Sequence, residues 1–184
     1  MTAPSGDAGA DIAGAVAALL RDVADFPKPG IMFKDIAPLL ANGEAFGRAI
    51  DALAAHARAC GSLDLVAGVE ARGFLVAGAL SRELGCGLVA VRKAGKLPPP
   101  TVRRSYDLEY GSAELEVPTG VLDGRRVFLV DDVLATGGTL RAAADLLVQA
   151  GAMVTGLGVL LELGFLDGSA ALHSVAPVHA LLRS

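Results

Sequence analysis

The stretch VFLVDDVLATGGTL, Val127 to Leu140, decides how the chain is read. Its first four residues are apolar, as in a strand buried on both faces of a parallel sheet. Asp131 and Asp132 follow, two like charges whose ionised forms need hydrogen-bond donors or a cation close by. Ala135, Thr136, Gly137, Gly138 and Thr139 come next. They allow a tight turn and leave no bulky side chain between the backbone N–H groups and an anion. The helix that starts here adds unpaired amides and the positive end of its dipole. Thr136 and Thr139 add hydroxyl donors. Two acceptors followed by an anion cradle suit a ribose diol and its phosphate. A metal-binding Asp pair, or an Asp cap before a Gly-rich turn, is the alternative reading. The string is neither a Walker loop, since no G-K-[ST] follows, nor a dinucleotide fingerprint, since G-x-G-x-x-G is absent.

Outward from this stretch, strands alternate with helices. Residues 63–69 (LDLVAGV) read as a strand, and 73–84 (GFLVAGALSREL) as a helix stopped by Gly85. Residues 87–93 (GLVAVRK) and 126–132 (RVFLVDD) are the next strands. A helix over 136–151 and a strand over 153–163 complete the series. Buried strands separated by helices imply βαβ units, hence an α/β fold with a mostly parallel sheet flanked by helices. Ligands of such sheets gather beyond the carboxyl ends of the strands. The GLG at Gly156–Gly158 reads as a strand that another backbone approaches closely.

The N-terminal part is less regular. Residues 1–10 read as a disordered lead-in. After Asp11, a cap, Ile12, Val16, Leu19, Leu20 and Val23 recur at helical spacing until FPKPG ends the run. IMFKDIAPLL is irregular. Asn42 is expected to cap a helix over about 44–60, with Phe46, Ile50, Leu53 and Ala57 on one face. The stretch from Ala94 to about Gly111 is long and polar, the signature of a functional lid or of disorder. AELEV after it alternates like one arm of a hairpin. A single domain over 11–184 is the expected organisation.

The chain has 184 residues and a net charge of −4, which argues against a general nucleic-acid binder. Cys60 and Cys86 are too few and too isolated for a disulfide framework or a zinc site, and read as small buried apolar residues. The N-terminus has no basic region, and IAGAVAALL is interrupted by Arg21-Asp22. Neither a signal peptide nor a membrane span is expected, and a reduced cytoplasm is the expected compartment. His56 reads as lying at a helix edge, and His173 and His179 in an irregular tail without metal-ligand spacing.

Two more polar clusters fall at expected strand ends. In VEARGF, Glu70 and Arg72 flank Ala71 and precede a helix opened by Gly73. Arg72 can take a phosphate oxygen pair bidentately; an ordinary surface turn is the alternative. In RKAGKLP, Lys93 and Lys96, with Arg92, leave a strand toward the same rim, suiting a polyanion, or else form a solvated surface run. SYDLEYG then puts Asp107, Glu109 and Tyr110 in a segment able to swing over the site.

VFLVDDVLATGGTL resembles the phosphoribosyl-pyrophosphate (PRPP) motif of the type I phosphoribosyltransferases. DFPKPGIMFKDI, VEARGFLVAGAL, VRKAGKLP and SYDLEYGSAELEV, in that order, resemble the branch of that family that acts on adenine. The likeness runs from about Arg21 to Leu161. It implies the reaction adenine + PRPP → AMP + pyrophosphate, with Mg²⁺ held mainly by PRPP and water rather than by direct protein ligation. It implies a type I phosphoribosyltransferase fold, with a small hood at about 25–40 and a flexible loop at about 94–112. By the resemblance, Asp131 and Asp132 face the ribose hydroxyls, and Ala135, Thr136, Gly137, Gly138 and Thr139 hold the 5′-phosphate. Glu70, Ala71, Arg72, Lys93 and Lys96 take the pyrophosphate, with a non-proline cis peptide in the Glu70–Ala71 turn. Met32, Phe33 and Lys34 bind adenine, Phe33 by stacking. Glu109 handles the proton on the base, and Tyr110 supports loop closure. Lys34 departs from the arginine common there, keeping the charge without the planar fork. A homodimer is implied too. Two other readings keep the same PRPP motif: a phosphoribosyltransferase for another purine or a pyrimidine, and a PRPP-sensing regulator without turnover.

Overall fold

The computed structural model describes residues 7–108 and 111–184, the side chains of 7–11, 107, 108 and 111 excepted. In chain order the first elements are α1 (Asp7–Ala18), β1 (Arg21–Ala24), β2 (Met32–Asp35), α2 (Ala37–Ala41) and α3 (Gly43–Ala59). Then come β3 (Leu65–Val69), α4 (Gly73–Leu84), β4 (Gly87–Lys93), β5 (Thr101–Leu108) and β6 (Gly111–Pro118). The chain ends with β7 (Arg126–Leu134), α5 (Gly138–Gln149), β8 (Met153–Glu162), two short 3₁₀ turns and β9 (Val178–Arg183).

Among the described residues, seven strands form one sheet in the order β5-β6-β4-β3-β7-β8-β9. β4, β3, β7, β8 and β9 run parallel, and the β5–β6 hairpin joins antiparallel at the β4 edge. β1 and β2 form a separate antiparallel ribbon. The parallel strands are apolar on both faces because helices cover both. Along β7, Val127 and Leu129 face Leu140, Ala143, Leu146 and Leu147 of α5. Phe128 and Val130 face the opposite core, with Leu53 of α3 and Val76 and Leu80 of α4. Each such buried leucine contributes about 1.5–3 kcal/mol.

Helix limits follow local chemistry. The Asn42 side chain accepts from Ala45 N at 3.1 Å and caps α3. α4 stops at Gly85, whose φ of 65° suits glycine. In β8 the two glycines of GLG seat a side chain rather than a neighbouring backbone. A Cβ on Gly158 would lie 2.9 Å from the Phe128 ring and 3.1 Å from Leu53.

Several expectations shift. α1 begins at Asp7, so residues 7–10 are helical, Asp11 lies inside the helix rather than capping it, and 1–6 fall outside the described residues. Val23 lies in β1, not on the helix, because α1 stops at Ala18 and the chain turns to pair with β2. Residues 101–108, expected within a long loop, are strand β5, which gives the AELEV arm its hairpin partner. Asp131 and Asp132 sit inside β7, which continues to Leu134 alongside β8. Cys60 and Cys86 are free and half-buried. Burial pushes both thiols up.

His179 belongs to β9, where its ring stacks on His56 of α3 with centroids 4.2 Å apart and planes 14° from parallel. Burial lowers both imidazoles below 6.5, and His179 adds a Coulombic push on His56. Protons then bind the unfolded chain more readily, so the stability contributed by the neutral pair is present above pH 6.5 and is lost as pH falls through the lower folded values. The urea midpoint is expected to drop between about pH 7.5 and about pH 5.5, and the drop to shrink in His179→Phe. Equal drops in both proteins would show that the pair does not carry the effect.

Candidate active site

The strand order turns at β3, which is flanked by β4 on one side and β7 on the other. The connections that leave β3 and β7 go to helices on opposite faces, so a crevice opens at their carboxyl ends. The VEARGF segment follows β3, and the ATGGT turn follows β7. Two of the three clusters meet at this point.

They meet because Gly73 lets them. A Cβ there would lie 2.7 Å from Asp131 Oδ1 and 3.2 Å from Asp131 Cα. Burial, and after it the charge of Asp132, push the Asp131 carboxyl well above its ordinary value. Its Oδ1 accepts from Asp132 N at 2.9 Å. Asp132 is 4% exposed, and its Oδ2 lies 3.0 Å from Arg72 Nε. That contact is an ion pair without hydrogen-bond alignment, which leaves Oδ2 with no hydrogen-bond partner among the described residues. A buried carboxylate oxygen in that state is ready to accept from an incoming hydroxyl.

Asp131 and residues 133–140 line a cavity of about 90 Å³. At its floor Gly137 has a φ of 85° and caps α5 without any side-chain bond. The first helical bond across this turn runs from Arg141 N to Gly137 O at 2.8 Å. The N–H groups of Gly138, Thr139 and Leu140 therefore point out of the helix end, available to an anion.

Arg72 links this cradle to the hood. Its guanidinium lies 4.7 Å from the centre of the Phe33 ring, and Nη1 donates to Lys34 O at 3.4 Å. Phe26 meets Phe33 edge-on at 5.0 Å. Met32 is exposed, and the Lys34 ammonium pairs with Asp22 at 2.8 Å. The Phe33 ring and the Lys34 backbone are thus brought to the aspartates, while the Lys34 side chain is turned to β1.

The third cluster is joined through Glu70. Its Oε2 accepts from Lys93 N at 3.1 Å and from Arg92 Nε at 3.2 Å. Burial alone would raise this carboxyl; the Lys93 N–H and Arg92 outweigh it and hold it below its ordinary value. Glu70 thus acts as a strut between β3 and β4, and the Glu70–Ala71 peptide is cis. The Lys93 and Lys96 side chains are exposed, and the charge of Lys93 also helps to hold the Glu70 carboxyl down. Glu109 and Tyr110 lie outside the described residues.

Arg92, grouped with the two lysines in the sequence, supports the Lys93–Lys96 turn by donating to Lys96 O at 3.0 Å. Sequence reading missed two contributors. Tyr106 Oη lies 3.5 Å from Thr139 Oγ1, so the hairpin touches the phosphate cradle. Gly168, in a tail with no motif, packs on the cradle so closely that a Cβ would collide with Ala135 O. Tyr106 was visible as the first tyrosine of SYDLEYG; the tail glycine gave no signal.

The family model described as "Phosphoribosyl transferase domain" matches residues 39–174. The chain is 55% identical over 172 residues to the adenine phosphoribosyltransferase of Mycolicibacterium paratuberculosis, covering 92% of this chain and 93% of that one. It belongs to the adenine phosphoribosyltransferase family. The adenine phosphoribosyltransferase of Kineococcus radiotolerans is 56% identical over 171 residues, 92% of this chain and 91% of the relative. The crystal structure of the Rhodothermus marinus enzyme superposes with a TM-score of 0.90 at 41% identity, covering 95% of this chain and 99% of that one. The Saccharomyces cerevisiae enzyme, solved with adenine and an imino-altritol bisphosphate, gives 0.88 at 38% identity, covering 94% and 99%. The fold is thus the type I phosphoribosyltransferase fold.

Gly73→Ala is expected to displace Asp131 and lower kcat/KM by about tenfold or more with helix content unchanged, measured by steady-state kinetics and circular dichroism. Unaltered kinetics would remove the Gly73–Asp131 contact from the site's requirements.

Proposed function

We propose that the chain transfers the phosphoribosyl group of PRPP to adenine, giving AMP and pyrophosphate, as its relatives' names indicate. One observation carries this reading: through Arg72, an aromatic ring is held against two carboxylates beside an anion cradle. A flat base, a sugar diol and a phosphate need those three surfaces in that order.

Ala135 to Thr139 hold the 5′-phosphate through amides and hydroxyls, and Asp131 and Asp132 accept the ribose hydroxyls. Hydroxyl donors would favour the ionised form of Asp131, whose carboxyl is otherwise held up by burial and by its neighbour. Met32, Phe33 and Lys34 bind adenine, Phe33 by stacking. Arg72, Lys93 and Lys96, with the Glu70–Ala71 turn, take the pyrophosphate. As the C1′–pyrophosphate bond breaks, electrons leave with the pyrophosphate and the sugar becomes cationic. Cations then meet charge where it builds, and the aspartates favour the sugar. Adenine N9 attacks from the opposite face, and its proton passes to Glu109, with Tyr110 supporting the closed loop.

The family uses Mg²⁺ with PRPP. Among the described residues no three His, Cys, Asp or Glu cluster as a metal site. The reading keeps the expectation of an ion held mainly by PRPP and water, beside the buried Asp132 Oδ2 that has no hydrogen-bond partner among the described residues. When bound, it would neutralise charge on the pyrophosphate.

Among the described residues no helix is long and apolar enough to cross a membrane. We extend the reading to one catalytic domain acting as a cytoplasmic homodimer, the expectation that the family resemblance supports; light scattering on purified protein tests the dimer.

With PRPP and Mg²⁺, pyrophosphate release is expected with adenine and not with hypoxanthine, guanine, xanthine or orotate. Release with another base alone would discard the adenine assignment; binding of PRPP without any turnover would discard catalysis. Asp132→Asn is expected to lower kcat by about a hundredfold while the fold persists. Glu109→Leu should cut turnover more than PRPP binding, and an unchanged rate would leave Glu109 no part in the chemistry.

A further inference from the structure

Glu116 in β6 is a carboxylate with 0% exposure at the centre of a polar group that the fold itself does not require. Burying a charge is unfavourable unless donors surround it. Its Oε1 accepts the N–H groups of Lys96 at 2.6 Å and Leu97 at 2.7 Å. Its Oε2 accepts from Arg103 Nε at 3.1 Å and from Thr101 Oγ1 at 3.3 Å. Strand register puts it there: Glu116 is opposite Arg92 in β4 and opposite Arg103 in β5. One rung across three strands therefore reads Arg92, Glu116, Arg103. Burial would raise this carboxyl, but the N–H groups of Leu97, Lys96 and Gly95, with Arg103, hold it below its ordinary value.

Two of these four hydrogen-bond donors belong to the turn after β4, and the other two to β5. The same turn is fixed from its other end. Arg92 Nη1 donates to Lys96 O at 3.0 Å, and Arg92 Nε and Lys93 N both bind Glu70. Successive N–H groups drawn inward onto one carboxylate oxygen shape the backbone as a nest around an anion. The consequence lies on the outer side, where Lys93 and Lys96 are left exposed.

We infer that Glu116 is the positioning residue of the pyrophosphate-binding turn: its buried carboxylate fixes the backbone of Lys96 and Leu97, so that Lys93 and Lys96 meet the leaving group in one geometry. The inference rests on the proposed reading of Lys93 and Lys96 as pyrophosphate ligands. Glu116 touches no substrate; it acts through the turn. Charge stabilisation depends on donors fixed in advance, so loosening the turn would weaken binding of PRPP and pyrophosphate and leave adenine binding alone.

The test is Glu116→Gln, which keeps the shape but turns an amide NH₂ toward donors that need an acceptor. Steady-state kinetics, pyrophosphate titration and thermal melting are run beside Lys96→Ala. The expected result is a rise of about tenfold in KM for PRPP and in Kd for pyrophosphate, with KM for adenine within about twofold. A lowered melting temperature with both affinities kept would overturn the inference, as would an equal rise in KM for both substrates. If Glu116→Gln does not fold, Arg103→Met decides: Arg103 is half-exposed, and its loss should raise the same two constants about two- to threefold. No change there overturns the inference. Lys96→Ala with native pyrophosphate affinity would instead overturn the pyrophosphate reading, whatever Glu116 does.

Discussion

The close contact between the start of α4 and β7 governs the site. Gly73 lies against Asp131 where no side chain fits, and the residue before it, Arg72, reaches Asp132. Two aspartates side by side in a buried strand repel each other and lose water's solvation. One carboxyl responds by rising well above its ordinary value, and the other takes a guanidinium. Because Arg72 also lies over Phe33 and bonds Lys34 O, that compensation brings the hood to the rim of the sheet. The hood, the aspartates and the turn after β7, proposed for base, sugar and phosphate, thus meet around one cation.

Around that contact the fold acts as a rigid frame with a polar edge. The inner parallel strands β3, β7 and β8 are buried on both faces, which fixes their ends to within the tolerance of a packed core. The β5–β6 hairpin is attached differently. It borders β4 through few pairs and is tied down by charges: Arg104 with Asp145 of α5 at 2.9 Å, and Arg103 with Glu116. Tyr106 extends the same hairpin to Thr139. Leu115 and Val117 of the hairpin are part of the buried core as well.

Glu70 and Glu116 make a related point about carboxylates. Both draw in N–H groups of the turn that carries Lys93 and Lys96, and each takes an arginine as well. On the proposed reading, negative charge one layer behind the lysines sets the position of the positive charge in front.

Much of this was legible in the sequence. β3, α4, β4, β7, α5 and β8 could be read from apolar runs and their stops, because double burial leaves an unbroken hydrophobic signal and Gly85 ends its helix by φ alone. The DD-x₃-TGGT string announced the cradle, since only small residues permit amides to face an anion. β1, β5 and β9 were not legible, nor were β2 and α2, whose residues read as one irregular segment. β1 forms a small ribbon, while β5 and β9 are edge strands; little of any of them is fully buried, and their sequences carry charges at positions that a core strand would keep apolar. Sequence order also gave no sign that Gly168 would meet Ala135, that His179 would stack on His56, or that Glu116 would stand between two arginines. These are contacts between residues 13 to 123 positions apart. The sequence by itself determined the α/β alternation and which residues carry charge at the strand ends. Only the tertiary structure decided which of those charges neutralise one another and which remain exposed, because pairing depends on register and crossing of strands, and neither is written in any single stretch of chain.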